Sequence, residues 1–400
     1  MTDATSTVKS RNILVLGAGE LGMPVLRNLA RRAKLVDGAM VSVLLRSSAV
    51  TSSDPTKAKD VAELRDLGIE IVIGDLVKSS VEALAAVFSA YDTVIGCAGY
   101  AAGINTPMKL AKAALLAGIP RYFPWQFGVD FEAIGRGGPQ DIFDAQLDVR
   151  ELLRSQDKTE WVVISTGMFM SYLFEPEFGV VDLQNSAVHA LGSLGAQVTL
   201  TTPDDIGALT AEIVFFEPTI RNEIVFLAGD TVSYGDVADK LEAALGRPFS
   251  RSEWTVPFLM HELAQDPQNM MRKYRAAFAI GRGVWPGRKT AHSIRDTAFR
   301  SPTSRRGSAQ TSRRLEIARL ARWRQMTLAR RPLSTHNGRQ RGLYCGSSPA
   351  NFESADVPNV SDGSKAPNSL LWVIATVMSA PPDIVRSTIP GATTPSSATS

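Results

Sequence analysis

The chain has 400 residues, 44% of them hydrophobic, with 43 basic against 40 acidic side chains and a formal net charge of +3. That is enough apolar material for a sizeable core, and it excludes a chain disordered throughout. Two cysteines, Cys97 and Cys345, are too few for a disulfide framework or a zinc site, no apolar run approaches the roughly 20 residues of a membrane helix, and the polar opening MTDATSTVKSRN lacks the apolar centre of a secretory signal. Membrane, secreted and collagen-like classes therefore drop out, and a reducing, cytoplasmic location is the expectation.

From residue 12 short apolar runs rich in Val and Ile alternate with helix-period stretches. The runs are NILVLG (12–17), VSVLLR (41–46), IEIVIGD (69–75), DTVIGCAG (92–99), RYFPWQFG (121–128) and EWVVIST (160–166). Continuous rather than alternating apolar character marks strands buried on both faces of a parallel sheet. Helices are expected between them at 21–33, 57–67, 80–89, 105–118 and 140–155. Strand–helix repetition at this spacing requires right-handed crossovers, which gives an α/β fold with a doubly wound parallel sheet.

The first strand runs directly into GAGELG, which sets Gly17, Gly19 and Gly22 at the start of an amphipathic helix. Gly17 allows the tight turn, Gly19 lets the backbone approach a pyrophosphate, and Gly22 lets the helix lie close to the sheet. With Glu20 and Leu21 they form a phosphate-binding turn whose free N–H groups and helix dipole attract an anion. Dinucleotide binding is the reading.

The second strand ends at Arg46, followed by Ser47 and Ser48, where an NAD-preferring site carries a carboxylate for the ribose 2′-OH. A guanidinium fork suits a 2′-phosphate instead, so the expected cofactor is NADP(H). Asp75 and Leu76 close the third strand at the adenine edge. After the fourth, Cys97, Ala98 and Gly99 are small enough for a cofactor to pass, with Ala98 a cofactor neighbour and Cys97 a buried filler. His189, His261, His292 and His336 show no metal-ligand spacing, and no metal is expected.

Beyond 166 the rhythm loosens into loops and short strands. A helix at PDDIGALTAEIVFF is opened by Asp204 or Asp205, a strand follows at 222–229, and Ser233 starts a helix that Gly246 ends. A strand at 251–256 and helical stretches over 257–282 complete a smaller α+β substrate portion. The expected organisation is thus 10–166 for the dinucleotide, 167–285 for the substrate, and 286–400 as a tail.

That tail holds 17 Lys and Arg against 6 Asp and Glu, a net of +11, which leaves −8 for residues 1–285. Its Arg-dense, Ser/Thr/Pro-rich composition is that of a disordered, low-complexity segment. The arginines lack a folded platform or regularly interleaved aromatics, and Trp323 is isolated, so nucleic acid is not an expected partner. A small-molecule substrate is, and the oligomeric state stays open.

GAGELG with Arg46, RYFPWQFGVD after the fifth strand, STGMFMSYLFEP after the sixth and NEIVFLAGDTVSYGDVADKL together resemble the NmrA-like and isoflavone reductase-like proteins, a branch of the atypical short-chain dehydrogenases, in their fungal form. The likeness covers roughly residues 10–285 and stops near GRGVWPGRKT, where an altered reading frame is the expected cause. It implies a Rossmann domain that binds NADPH, with Gln126 and Phe127 near the cofactor, and a small substrate domain. It also implies a reductase of aromatic or polyketide-like molecules in secondary metabolism, or alternatively a catalytically silent redox-sensing regulator.

The family reductases carry a lysine on the helix after strand five. In IFDAQLDVR that position is Gln146, an amide that can hydrogen-bond a carbonyl or a ribose but cannot trade a proton near neutral pH. Where the reductases have a Ser-Glu pair, this chain has Trp125 and Gln126. Trp125 offers a stacking wall for a flat ring, with core packing as the alternative. Tyr172 is the candidate proton donor, Asp144 shortly before Gln146 and Asp130 after strand five are alternatives, and spacing alone marks none of them. Met168, Phe169 and Phe174 line the pocket that the family opens there.

Overall fold

The computed structural model describes residues 10–99 and 103–284. The tail expectation, the reading-frame expectation and the second cysteine lie outside these residues.

Each apolar run becomes a strand and each amphipathic stretch a helix. In chain order they are β1 (Asn12–Leu16), α1 (Gly22–Ala33), β2 (Met40–Leu45), α2 (Ser47–Val50), α3 (Pro55–Asp66), β3 (Glu70–Ile73), α4 (Val81–Phe88), β4 (Thr93–Gly96), α5 (Thr106–Ala117), β5 (Arg121–Phe123), α6 (Phe131–Ile134), α7 (Ile142–Arg154) and β6 (Glu160–Ser165). There follow β7 (Met168–Phe169), a 3₁₀ turn (Met170–Phe174), β8 (Val181–Asp182), β9 (Ala187–Leu191), β10 (Gln197–Thr201), α8 (Pro203–Val214), β11 (Glu223–Phe226), β12 (Asp230–Ser233), α9 (Tyr234–Leu245), β13 (Ser250–Trp254), α10 (Val256–Gln265) and α11 (Met270–Ala279).

Seven strands form one sheet in the order β11-β6-β5-β4-β1-β2-β3, every neighbouring pair parallel. Successive side chains of a strand face opposite sides. On β1, Ile13 and Val15 enter the core shared with α1 and α8, while Leu14 and Leu16 enter the core shared with α4, α5 and α7. This is the doubly wound, Rossmann-type architecture expected from the repeat. Burial on both faces fails at β3, where Ile73 is 56% exposed, because an edge strand has a neighbour on one side only.

Two elements that follow residue 166 return to this sheet. β11 adds a seventh strand beside β6, and α8 lies on α1 so closely that a Cβ on Gly207 would come 2.5 Å from the Pro24 carbonyl carbon. Arg121 fastens them. It is fully buried, and it donates to the Val214 and Ile220 carbonyls at 2.8 Å each while lying 4.7 Å over the Phe123 ring. Loss of solvation lowers its pKa to about 10, still charged at neutral pH.

The remaining elements build the smaller portion from two three-stranded sheets, β12-β10-β7 and β13-β9-β8, with α9, α10 and α11. As expected, Ser233 caps α9, in a capping box with Asp236, and Gly246 ends it in the left-handed conformation. The cap of α8 is Thr202 rather than an aspartate. Its hydroxyl accepts from the Asp205 amide, while Asp204 and Asp205 sit in the first turn, where the helix dipole favours them. The core of this portion takes in Val129, Phe131, Ile142 and Phe143 from the β5–α7 connection, so the entrance of α7 belongs to both portions. No helix among the described residues is long and apolar enough to cross a membrane.

Candidate functional site

The carboxyl ends of β1, β2, β4, β5 and β6 bring the expected residues to one edge of the sheet. Gly17 adopts φ +98°, a region that an L side chain rarely enters. A Cβ on Gly22 would stand 2.2 Å from the Gly17 carbonyl oxygen, whereas one on Gly19 would meet nothing within 4 Å. The turn is thus closed against the sheet at Gly22 and open at Gly19, the side from which a phosphate would approach. No side chain caps the N-terminus of α1, and no acidic residue stands in its first turn, which leaves the helix end available to an anion.

Arg46 is exposed and extended at the start of α2. On the neighbouring strand end, Asp75 accepts from the Val77 and Lys78 amides at 2.9 and 3.0 Å, and those two bonds hold its carboxyl below the usual range. Leu76 is buried in the core beneath it. Ala98 lies 3.7 Å from where a Gly17 Cβ would be.

Cys97 is buried behind the turn, and desolvation pushes its thiol far up. A thiol reagent at pH 8 should therefore leave Cys97 unlabelled in the native protein and label it after denaturation, read by peptide mapping. Labelling of the native protein would contradict its role as a filler.

Trp125 is half-buried against the end of β4. Cβ atoms on Gly96 and Gly99 would come 2.9 Å from its backbone nitrogen and from its ring, so the two glycines are what let the indole lie there. This combines the two readings of Trp125, as part of the core and as a wall at the strand ends.

Three expected site residues turn inward instead. Gln126 is fully buried. It accepts from Arg150 Nε at 2.7 Å and donates to the Gln146 carbonyl at 2.8 Å, so both ends of its amide are engaged with α7. Phe127, expected beside a cofactor, is buried in the core under α1 and α8. Gln146 is likewise fully buried, on the face of α7 that the Gln126–Arg150 clamp holds. Arg150 itself, 3.7 Å from Glu132 and 5.2 Å over the Phe131 ring, is a buried cation with no counterpart in the sequence reading.

The pocket residues divide in a similar way. Met168 is buried in the core of the smaller portion, and Phe174 is partly buried against that core. Phe169 is partly buried against the core beneath the sheet. The Tyr172 hydroxyl donates to Met271 Sδ at 3.1 Å, and its ring lies 4.9 Å from Phe178 and 5.6 Å from Tyr274. Burial, aided by Glu175 and Glu177, pushes its pKa well up. In the structure the Tyr172 phenol therefore packs among these rings, with its hydroxyl resting on the Met271 sulfur.

One contact had no signal in the sequence. Ser171 of the 3₁₀ turn donates to Glu20 at 2.5 Å and so joins the phosphate turn to the smaller portion. A serine between two aromatic-rich stretches carries no mark of such a partner.

The model of the NmrA-like family matches residues 9–280. The chain belongs to the NmrA-like family. Among the curated NmrA-like relatives, an NmrA-like family domain-containing oxidoreductase of Gibberella moniliformis is 46% identical over 288 residues, 72% of this chain and 94% of that protein. Isoflavone reductase homolog P3 of Arabidopsis thaliana is 26% identical over 272 residues, 66% and 83% of the two chains. Among solved structures, the NADPH complex of leucoanthocyanidin reductase from Vitis vinifera shares the fold with a TM-score of 0.58 at 21% identity, covering 73% of this chain and 95% of that one.

Proposed function

We propose that this NmrA-like protein is an NADP(H)-dependent oxidoreductase that reduces a small aromatic or polyketide-like molecule in secondary metabolism. The observation that carries the reading is the phosphate turn, open at Gly19 and uncapped at α1, inside a chain 46% identical to a relative named an oxidoreductase. The residues fit the cofactor. Gly17, Gly19 and the first turn of α1 would hold its pyrophosphate, Arg46 its 2′-phosphate, the Asp75–Leu76 turn its adenine edge, and Trp125 would flank its far end. When bound, that group supplies a hydride.

The protein contributes orientation and exclusion of water. The Gln126–Arg150 clamp fixes the β5 loop on α7, and with it the indole of Trp125. With Gln146 in place of the lysine and the Tyr172 hydroxyl held by Met271, neither of the two expected side chains is set to deliver a proton. The same two facts favour the second reading, a silent dinucleotide-binding regulator.

NADPH oxidation with a panel of aromatic ketones and enones, in wild type and in Gln146→Ala, separates the two. Under the oxidoreductase reading at least one acceptor is turned over, and Gln146→Ala lowers kcat by no more than about ten-fold, because an amide makes at most a positioning hydrogen bond. Stoichiometric dinucleotide binding with no turnover on any acceptor would establish the regulator instead.

A further inference from the structure

Glu20 is the one acidic residue in GAGELG, and it is exposed directly after Gly19, where a Cβ would meet nothing within 4 Å. In the reading above, a pyrophosphate seats on that turn, so a carboxylate one residue from Gly19 repels the ligand that the turn attracts. The structure shows what holds that carboxylate at the turn. It accepts a hydrogen bond from Ser171 Oγ at 2.5 Å, across 151 residues of sequence, on the wall formed by Met170–Phe174. Glu175 and Glu177 come after that wall, and the Arg275 guanidinium donates to the Glu177 and Phe178 carbonyls beside them.

We infer that Glu20 and Ser171 form a charged clasp between the phosphate turn and the substrate wall, which weakens binding of pyrophosphate-bearing ligands until it opens. The inference rests on the dinucleotide reading and deepens it, because it makes Glu20 and Ser171 determinants of affinity that face each other across the two portions. Opening the clasp frees Ser171 and loosens the backbone of the 3₁₀ turn there, while Tyr172 and Phe174 stay packed against the core. A carboxylate that instead hydrogen-bonded the bound dinucleotide would have the opposite effect on affinity, so the sign of the change decides between them.

The test is dinucleotide titration, by quenching of tryptophan fluorescence, of wild type, Glu20→Gln, Ser171→Ala and the double variant, with NADPH and NADP+ as probes at low and moderate salt. Glu20→Gln removes the charge and should tighten both ligands by about three- to ten-fold at low salt, with the gain shrinking as salt screens the repulsion. Ser171→Ala leaves the carboxylate free to turn into water and should tighten binding by about two-fold, and the double variant should gain no more than Glu20→Gln alone. Weaker or unchanged binding in Glu20→Gln overturns the inference.

Hydrogen exchange without any dinucleotide is the independent arm. The peptide spanning residues 168–175 should exchange faster in Ser171→Ala and in Glu20→Ala than in wild type, and unchanged exchange overturns the clasp itself. Absence of dinucleotide binding in every form, together with faster exchange, counts against the dinucleotide reading and leaves the clasp standing as a structural link.

Discussion

Gly22→Ala is expected to destabilise the protein by about 2–4 kcal/mol and to weaken dinucleotide binding by at least about thirty-fold. The physical reason is a backbone clash. The added Cβ would stand 2.2 Å from the Gly17 oxygen and 2.8 Å from the Gly17 carbonyl carbon, and neither atom belongs to a side chain that can swing away. Relief requires α1 to rise from the sheet or the turn to unwind, and either movement disperses the N–H groups that would converge on a phosphate. It also disturbs the contact of α1 with α8, where Gly207 leaves no room for a Cβ against Pro24.

Gly19→Ala is the control, because the same methyl there meets nothing within 4 Å. It should leave the melting temperature within a degree or two while still weakening the dinucleotide, whose phosphate needs that space. Thermal denaturation and NADPH titration of the two variants check the contrast. A Gly22→Ala protein with wild-type stability and affinity would refute this account of the turn.

Arg46→Ala is expected to raise the Kd for NADPH by about 10–100-fold and to leave NADH nearly unchanged, since a guanidinium on a phosphate makes charge-assisted bonds that a ribose hydroxyl does not match. The position supports the reading. Arg46 is exposed at the end of β2, and both it and Lys78 act on the Asp75 carboxylate, so the rim between β2 and β3 carries cations around an anion already tied to backbone amides. Arg46→Asp should go further and favour NADH, because a carboxylate there accepts from the 2′-OH and repels the 2′-phosphate. The loss for NADPH should shrink with ionic strength. Equal losses for NADPH and NADH in Arg46→Ala would show that the arginine serves the fold of the β2–α2 corner and not the choice of cofactor.

Both predictions rest on residues that could be read from the chain alone, and their legibility has a common cause. Turns, caps and strand–helix alternation depend on residues within a few positions of one another. Gly17 at φ +98°, Ser233 capping α9 with Asp236, and Gly246 closing it are such local matters. The same holds for the six apolar runs that entered one parallel sheet.

The site beyond the turn was less legible, because long-range pairing decides it. Gln126 sits next to Trp125 in sequence, yet one is sealed against Arg150 and the carbonyl of Gln146 while the other lies on two glycines of the neighbouring strand end. Nothing in FPWQFG says which of the two is sealed inside and which stays half-exposed. Tyr172 looked available because it follows a strand end. Met271, Phe178 and Tyr274, which enclose it, come from as far as 102 residues away.

The amino-acid sequence by itself determined the doubly wound sheet, the phosphate turn, the arginine at its second strand end and the absence of a lysine at Gln146. The first three follow from periodicity, from the backbone freedom of glycine and from residue identity at a strand end, and the last from the resemblance to the family reductases. The tertiary structure alone decided that β11 and α8 return to the sheet and that Gln126 and Tyr172 are held by the fold. It also decided that Glu20 meets Ser171. These are contacts between residues tens to more than a hundred positions apart, and a local pattern carries no information about which distant side chain will complete it.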